Sequence, residues 1–363
     1  MVTRITSSSM SSSLTNRINS SYMNYAKLSE QIASGSKINS LMDDSVQAIN
    51  IISSNRKLNQ IGTWIQNVQV LNNEIKQSSE VIDTAISKAQ RIKDLTVTAT
   101  TGTASKENLQ SILTELDGVI NTIVDRANTN YNGNYIYSGT NTTTPPYEIQ
   151  YAEDNNGELT DKIVGIKYNG TDITDAWERK LEIADGEFQT CNMTGQEIFG
   201  ECEAALKLDA NNDVVYENGV ATYDTVQSSG IMGDFISLRN SIQETIDAIE
   251  AKDALAQDDP NYLVEAEKIK TGRETMNGLI DKISLSMEKM STANVKLGTL
   301  SNKLDMSESS LTGSKNDLTE FISDIKDVDI TQAITEWYNA QYAYQASMQA
   351  SLSALSQNLL SYL

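Results

Sequence analysis

The sequence predicts a mainly α protein in which the N- and C-terminal flanks form a long antiparallel helical bundle or coiled coil around a central β-rich inserted domain. Three observations predict this class. The prolines, Pro145, Pro146 and Pro260, leave residues 1–144 and 261–363 proline-free. A proline inside a helix costs about 3 kcal/mol, so both flanks can carry long helices. The flanks show helical periodicity, whereas the middle shows short alternating segments and turn signals.

Apolar periodicity predicts three helices in the N-terminal flank. The first ends before Gly35, since glycine often follows the last residue of a helix. A Thr-rich stretch around Gly102 separates the second from the third, for which Ser105 is a candidate N-cap. The apolar stripes are Leu14, Ile18, Tyr22, Tyr25, Leu28 and Ile32 on the first helix, Leu58, Ile61, Ile65, Val68, Leu71, Ile75, Ile82, Ile86, Ala89 and Ile92 on the second, and Leu109, Ile112, Leu116, Val119, Ile123 and Ala127 on the third.

The C-terminal flank predicts two more long helices. Steps of three, four and seven residues in the last one resemble a coiled-coil seam. From Gln341 to Leu363 there is no charged side chain. Because burying a charge is costly, this composition favours a helix packed against other subunits nearly all round over a helix in the core of its own chain. The marker residues are Ile283, Met287, Met290, Leu297 and Leu304 on one helix, and Ile330, Ile334, Trp337, Tyr344, Met348, Leu352, Leu355 and Leu359 on the other.

Residues 140–230 differ from the flanks. Segments 147–151 and 163–168 alternate as short strands, and three Asn-Gly pairs, at 156–157, 169–170 and 218–219, are turn signals. We therefore predict a small surface domain of about 80–90 residues, which lies within the usual size range of a domain. The predicted division is 1–42 with 325–363 as terminal coiled-coil helices, 43–140 with 231–324 as a helical core domain, and 141–230 as the inserted β-rich domain.

Composition excludes several classes of function. Acidic residues outnumber basic ones 49 to 28, a formal charge of −21, which argues against nucleic acid and against anionic membrane surfaces as partners. No apolar run approaches the roughly 18 residues of a membrane span. The N-terminus lacks the apolar region of a cleaved secretory signal. The absence of histidine removes the commonest general base and metal ligand.

A search for catalytic and ligand-binding motifs predicts no enzyme, no cofactor and no metal site. Phosphate-loop, dinucleotide and nucleophile-elbow motifs are absent. Residues 209–213 imitate the start of a calcium loop, but Val214 stands where such loops need glycine. The carboxylate pairs at 43–44 and 258–259 precede predicted helices, where capping is the better interpretation. Cys191 and Cys202 allow either a disulfide or two separate thiols.

Two segments carry a resemblance to a known family. Gly35, Lys37 and Ile38, followed by Asp43 and Asp44, resemble the N-terminal signature of the flagellin superfamily, although Ser36 and Ser45 replace a common basic residue and a common proline. The second segment, with Tyr131, Asn132, Gly133, Tyr137, Gly139, Thr140, Pro145 and Pro146, is similar to hook–filament junction proteins of the FlgL type (hook-associated protein 3). Segments 325–330 and 359–363 are also similar to that type.

The resemblance implies a structural subunit of the bacterial flagellum. It would form a homo-oligomeric ring between a neighbouring junction protein on the hook and the flagellin filament. It would leave the cell unfolded through the type III export apparatus, without a cleaved signal, after a cytoplasmic export chaperone had held its C-terminal helix. The termini would order on assembly, through Leu14, Ile18, Tyr22, Tyr25, Leu28, Ile32, Ile334, Trp337, Tyr344, Met348, Leu352, Leu355, Leu359 and Leu363.

Three alternatives stay open at this point. The first is a flagellin of the filament itself, which the segment from Tyr137 to Tyr147 and the Tyr-Leu terminus disfavour. The second is a cytoplasmic signalling coiled coil, which would alternate charges along its rod and rarely carries a β insertion. The third is a secreted hydrolase that uses carboxylates of the middle domain, which would need a pocket with an acid of raised pKa.

Overall fold

The computed structural model describes residues 7–101, 104–170, 180–190, 194–209, 214–217, 220–256 and 259–360. The predicted class, mainly α with long terminal helices and a central β-rich insertion, is confirmed in these residues. The helices are α1 (Ser7–Ser34), α2 (Ser45–Thr100), α3 (Lys106–Ala127), α4 (Gly195–Ile198), α5 (Gly230–Asp253), α6 (Pro260–Lys326) and α7 (Ile330–Leu360). The strands are β1 (Asn130–Tyr131), β2 (Asn134–Tyr135), β3 (Tyr147–Glu153), β4 (Leu159–Tyr168), β5 (Lys180–Ala184), β6 (Glu187–Thr190), β7 (Glu201–Leu206), β8 (Tyr216–Glu217), β9 (Val220–Ala221) and β10 (Tyr223–Ser229).

Backbone contacts divide the chain into two compact units. The terminal unit comprises Met1–Ile65 with Ser309–Leu363, and the central unit comprises Gln66–Glu308. Helices α2 and α6 contribute residues to both. The predicted division into three parts stays a prediction, and β3 to β10 lie inside its 141–230 part.

The helix ends follow the local signals in the sequence. Gly35 ends α1 with φ +68°, a backbone conformation that glycine adopts without strain. The Asp44 carboxylate accepts hydrogen bonds from the amides of Val46 and Gln47 at 3.1 and 3.0 Å, so it caps α2 as predicted. Ser105 caps α3 by accepting from the Asn108 amide at 3.4 Å. Gly102, in the predicted connector before α3, lies outside the described residues.

Helix α6 begins with a similar cap. Asp259 accepts from the Asn261 amide at 2.8 Å, and Pro260 occupies the first helical position, where its missing N–H costs nothing. The capping interpretation therefore holds for Asp259, while Asp258 lies outside the described residues.

In the central unit, α2 and α6 run antiparallel and are joined by polar side chains. Gln69 bonds to Glu308 at 2.7 Å, Asn72 to Asp305 at 2.6 Å, and Ser79 to Asn294 at 2.6 Å. The number of the α6 partner falls as that of the α2 residue rises, which is the signature of antiparallel helices. Between the polar contacts lie the buried apolar residues Val68, Leu71, Ile75, Ile82, Met290, Leu297 and Leu304.

Helix α5 is the most enclosed helix of the central unit. It packs against α3 and against β4, β7 and β10. Its buried residues point in almost every direction around the axis, and they include Ile231, Phe235, Leu238, Ile242 and Ile246. Arg239 is also buried, and its guanidinium bonds to the Asp117 carboxylate at 2.8 Å. That ion pair ties α5 to α3.

The insertion centres on a four-stranded antiparallel sheet of order β10-β7-β4-β3. The predicted turn at 156–157 connects β3 to β4, with Gly157 at φ +79° and its amide donating to the Asp154 carbonyl at 3.0 Å. The Asn169 amide donates to the Pro146 carbonyl at 2.7 Å, which extends the β3–β4 pairing beyond Tyr168. The turn signal at 218–219, the loop residues 210–213 and Cys191 lie outside the described residues.

Cys202 lies in β7, opposite Ile166 of β4. Its thiol is buried, and this burial raises its pKa. A raised pKa keeps the thiol protonated and inert at neutral pH.

Candidate assembly site

Helices α1 and α7 of the terminal unit pair along a heptad seam. Positions 14, 18, 21, 25, 28 and 32 of α1 repeat in alternating steps of four and three, and all are buried or half-buried. Positions 333, 337, 340, 344, 347 and 351 of α7 repeat in the same way. This repeat is that of a coiled coil, in which one narrow stripe of each helix faces the partner.

Aromatic rings fill the middle of the seam. The Tyr25 ring lies between those of Trp337 and Tyr344, with centroid distances of 5.5 and 6.2 Å. Tyr22 packs its ring on Tyr344 at 5.5 Å, and the Trp337 indole N–H donates to the Ser29 hydroxyl at 2.6 Å. The pairing is antiparallel, since residue 22 meets 344 and residue 29 meets 337.

Small residues make room for these rings. The seam positions of α7 beside Trp337 and Tyr344 are Ala333, Ala340, Ser347 and Ser351. Consequently the seam buries little aliphatic surface: among its large apolar residues only Leu28 is buried, and it is still 8% exposed. The described contacts of this pairing are mainly ring contacts and one indole hydrogen bond.

The predicted assembly residues of α7 lie on two different faces of the helix. Trp337 and Tyr344 do face α1, but Ile334, Met348 and Leu352 lie outside the seam, and Leu352 is 68% exposed. The six residues predicted on α1 are all placed on or beside the seam, with Tyr22 52% exposed at its edge. Leu355 and Leu359 belong to α7, whereas Leu363 lies outside the described residues. The role of all these residues in assembly stays a prediction.

A second apolar face of α7 remains open. At about 100° per residue, its members span an arc of about 120° next to the seam. Tyr342 is 66% exposed, and the other members are at least a third exposed. We call this surface the α7 outer face, and it comprises Ile330, Ile334, Tyr338, Tyr342, Met348 and Leu352.

Another exposed apolar surface, which we did not predict from the sequence, lies at the start of α2. Val46, Ile49 and Ile52 follow each other in steps of three on one helix face, and Leu41 and Met42 precede them in the turn. Met42 is 97% exposed. The short helical periodicity directly after Asp44 could have predicted this surface. We call this surface, Leu41, Met42, Val46, Ile49 and Ile52, the α2 stripe.

The turn between α1 and α2 is held by the residues of the flagellin-like signature. The Asp43 carboxylate accepts from the Ser40 and Asn39 amides at 2.9 and 3.1 Å and pairs with the Lys27 ammonium at 3.1 Å. Bonds from the Ser40 amide and Lys27 are the main cause that lowers the pKa of Asp43 to about 2. The carboxylate is therefore ionised at any physiological pH, and the turn is pinned to α1.

The same turn is also attached to the segment between α6 and α7. The Lys37 amide donates to the Lys326 carbonyl at 2.6 Å, and the Val328 amide donates to the Gly35 carbonyl at 3.0 Å. The Ser36 hydroxyl donates to the Ile38 carbonyl at 2.8 Å. Signature residues thus shape one compact corner of the terminal unit, and none of them forms a catalytic arrangement.

The second motif builds the start of the β insertion in the central unit. Asn132 and Gly133 both have positive φ, 51° and 85°, as the two-residue turn between β1 and β2 requires. The buried Tyr137 donates its hydroxyl to the Ser78 carbonyl of α2 at 2.9 Å, and burial raises its pKa. Gly139 has φ +69° and is buried, as is Pro146, whereas Thr140 is half-buried and Pro145 is exposed. Tyr131 is half-buried beside the turn.

Tyrosine hydroxyls continue this link into the sheet. Tyr168 donates to the Tyr137 carbonyl at 2.8 Å, and Tyr147 donates to the Gly200 carbonyl at 3.0 Å. The Tyr137 and Phe199 rings meet edge to face at 5.2 Å. Each buried hydroxyl has a backbone acceptor, so the motif joins α2 to the sheet by satisfied hydrogen bonds.

The described ranges hold no group of three or more His, Cys, Asp or Glu side chains arranged to bind a metal ion. Nor does any helix among these residues combine the length and the hydropathy that a membrane span requires.

Comparison with known families matches both ends of the chain. Residues 5–142 match the bacterial flagellin N-terminal helical region, and residues 280–363 match the bacterial flagellin C-terminal helical region. The two matches together span more than half of the chain. A comparison with curated protein sequences returns no match.

Three solved structures share the fold, each with a TM-score of 0.50. A putative flagellar hook-associated protein from Vibrio parahaemolyticus is 18% identical and covers 78% of this chain and 100% of its own. Flagellar hook-associated protein-3 from Legionella pneumophila is 15% identical and covers 76% and 98%. FlgL from Xanthomonas campestris is 16% identical and covers 75% and 100%.

The two family matches place the chain among the structural proteins of the bacterial flagellum, which are not enzymes. The chain belongs to the bacterial flagellin family, because its two ends match the two helical regions of that family in their order along the chain. The flagellin-like resemblance predicted from the motifs is thereby confirmed.

Proposed function

We propose that this chain is a junction subunit of the flagellum, which forms a ring between the hook and the flagellin filament. The observation that carries the proposal is the concentration of exposed apolar side chains in the terminal unit, on the α7 outer face and the α2 stripe. Apolar patches that a monomer leaves exposed are typical of protein interfaces. A structural subunit needs such surfaces at the ends that meet its neighbours.

The composition of these ends supports the same function. Residues 337–363 contain no charged side chain in a chain whose formal charge is −21. Burying this segment between subunits therefore desolvates no charge, and each large apolar side chain that becomes fully buried contributes roughly 1.5–3 kcal/mol. The acidic residues elsewhere keep the free subunits soluble and apart.

The junction role, rather than the filament role, rests on the second motif. The segment from Tyr137 to Tyr147 is similar to that of junction proteins, and Tyr137, Pro146 and Tyr147 are buried where the insertion leaves the helices. The partners we propose are a neighbouring junction protein on the hook side, flagellin on the filament side, an export chaperone and the type III export apparatus. The proposed location is outside the cell.

Immunogold labelling of flagella tests this function. In the source bacterium, this chain would be given an epitope in its surface turn at 156–157, and flagella would then be purified from those cells. Label confined to the boundary between hook and filament supports a junction subunit. Label along the whole filament would assign the chain to the filament as a flagellin, and its absence from purified flagella would refute both roles.

We also propose that the α1–α7 pair becomes fully ordered only on assembly. The pair rests on a seam with little aliphatic burial, whereas the central unit buries many side chains completely. Amide hydrogen exchange on the free subunit should be fast over 7–34 and 330–360 and slow over 66–100 and 270–308. Equal protection of both regions would show that the pair is stable by itself and would contradict ordering on assembly.

A further inference from the structure

The terminal unit presents two exposed apolar surfaces that differ in shape. The α2 stripe is a short face of one helix with the two turn residues Leu41 and Met42 at its end. The α7 outer face extends over more than twenty residues of helix and contains the Tyr338 and Tyr342 rings, 50% and 66% exposed. The question is what covers each of them.

The α2 stripe is held in its exposed position. Asp43 binds the amides of Asn39 and Ser40 from one side of the turn, and Asp44 caps the helix on the other side. The Asp43 amide also closes onto the Ser40 carbonyl at 3.1 Å. Leu41 and Met42 lie between these bonds. A turn fixed by so many bonds keeps Met42 in solvent, where an apolar side chain gains nothing unless a partner covers it.

Neither surface carries charge. Residues 45–55, which include most of the α2 stripe, have no charged side chain, and neither do residues 337–360. Contact between these two uncharged stretches would therefore bury apolar and neutral polar groups without desolvating an ion. Either surface would be a poor partner for a highly charged protein.

We infer that the α2 stripe of one subunit docks on the α7 outer face of the next copy of the same chain. This inference rests on the proposed ring. A ring closes through heterologous contacts, in which one surface of each subunit meets a different surface of its neighbour, whereas a self-complementary surface closes a dimer and stops. Two different apolar surfaces in one unit meet that requirement.

The size of the contact explains why free subunits stay apart. Full burial of a large apolar side chain corresponds to roughly 60–120 Å² at about 25 cal/mol per Å². The five side chains of the stripe and the six of the outer face are between 37% and 97% exposed, so together they offer roughly 400–750 Å². A stable pair of free proteins buries about 1,200–2,000 Å². The contact is too small to hold two copies alone, and it forms where the flagellum holds subunits side by side.

Cysteine cross-linking in intact flagella tests the contact. In a Cys191→Ser background, with the buried Cys202 retained, Val46→Cys and Tyr342→Cys are combined in one chain. Oxidation of purified flagella should then give a ladder of covalent multimers longer than dimers. Each single variant should stay monomeric. The matched control combines Gln60→Cys, an exposed position of α2 about 21 Å along the helix axis from Val46, with Tyr342→Cys and should give no ladder.

Several outcomes overturn the inference. Dimers from Val46→Cys alone would show a self-complementary stripe. A ladder from the Gln60 control but not from the Val46 pair would place the neighbour further along α2 and away from the α2 stripe. A cross-link within one chain, seen as a monomer of altered mobility, would mean that the two surfaces cover each other. If gold label marks the boundary of hook and filament and no ladder forms, the proposed function stands and only this contact fails. If the chain is absent from flagella, the proposed function fails.

Discussion

Replacing Gly200 by alanine should destabilise the central unit strongly. Gly200 has φ +74°, and a methyl group added there would lie 2.0 Å from the Ser229 carbonyl oxygen and 2.7 Å from the Gly230 Cα. Both neighbours are backbone atoms between β10 and α5, so no side chain can rotate away. The left-handed conformation costs alanine about 1–2 kcal/mol, and forcing the backbone apart costs about 1–3 kcal/mol more. The expected loss is about 2–5 kcal/mol.

Gly157→Ala is the matched control for this prediction. Gly157 has nearly the same φ, +79°, but an added methyl group would meet nothing within 4 Å. Only the conformational cost of about 1–2 kcal/mol applies there. Urea unfolding followed by circular dichroism measures both losses, and a melting-temperature change of about 2–4 °C per kcal/mol for a unit of this size provides a second reading. Equal losses for the two variants would refute the argument that backbone contact at Gly200 decides the cost.

Two further predictions concern polar contacts. In the pinned turn, Lys27→Ala should raise the Asp43 pKa from about 2 only part of the way to 3.8, because the hydrogen bond from the Ser40 amide is the largest cause of the lowered pKa. A carbon-detected NMR titration measures this pKa. A return to 3.8 would contradict the prediction. Since this pKa is lowered on folding, the contribution of Asp43 to stability is present above pH 3.8 and is lost as the pH falls through about 2. Asn72→Ala should cost about 2–3 kcal/mol in urea unfolding, because the buried amide loses its bond to the Asp305 carboxylate and a second one to a serine hydroxyl. Its exposed neighbour provides the control, since Asn73→Ala should change the free energy of unfolding by less than about 0.5 kcal/mol. A similar loss in both variants would show that the loss does not come from the polar contacts between α2 and α6.

The positions of the long helices, and the way most of them begin and end, follow from local features of the amino-acid sequence. Such features depend on interactions between residues close in the chain. Gly35 ends α1 because of its own φ, and Asp44 and Ser105 cap helices through amides two or three residues away. The turn at Gly157 is equally local. Absence of proline and the three- and four-residue periodicity then sufficed for the flanks.

Helix α5 illustrates what periodicity does not detect. The apolar periodicity of the sequence did not predict this helix, although it packs against α3 and three strands of the central unit. An amphipathic pattern arises only when one face of a helix meets solvent. Because α3 covers one side of α5 and three strands cover another, its buried residues are spread around the axis and leave a weak pattern.

The register of the terminal pair depends on contacts between residues that are far apart in the chain. Helix α7 carries two apolar stripes, and periodicity alone does not distinguish the one that faces α1 from the one that remains open. The rings of Tyr25, Trp337 and Tyr344 need space. The face of α7 that packs on α1 provides this space, because its other positions include the small residues Ala333 and Ala340. Because the ring-bearing face of α7 packs on α1, the side chains of Ile334, Met348 and Leu352 are exposed on the other face. We propose that a neighbouring subunit covers them there.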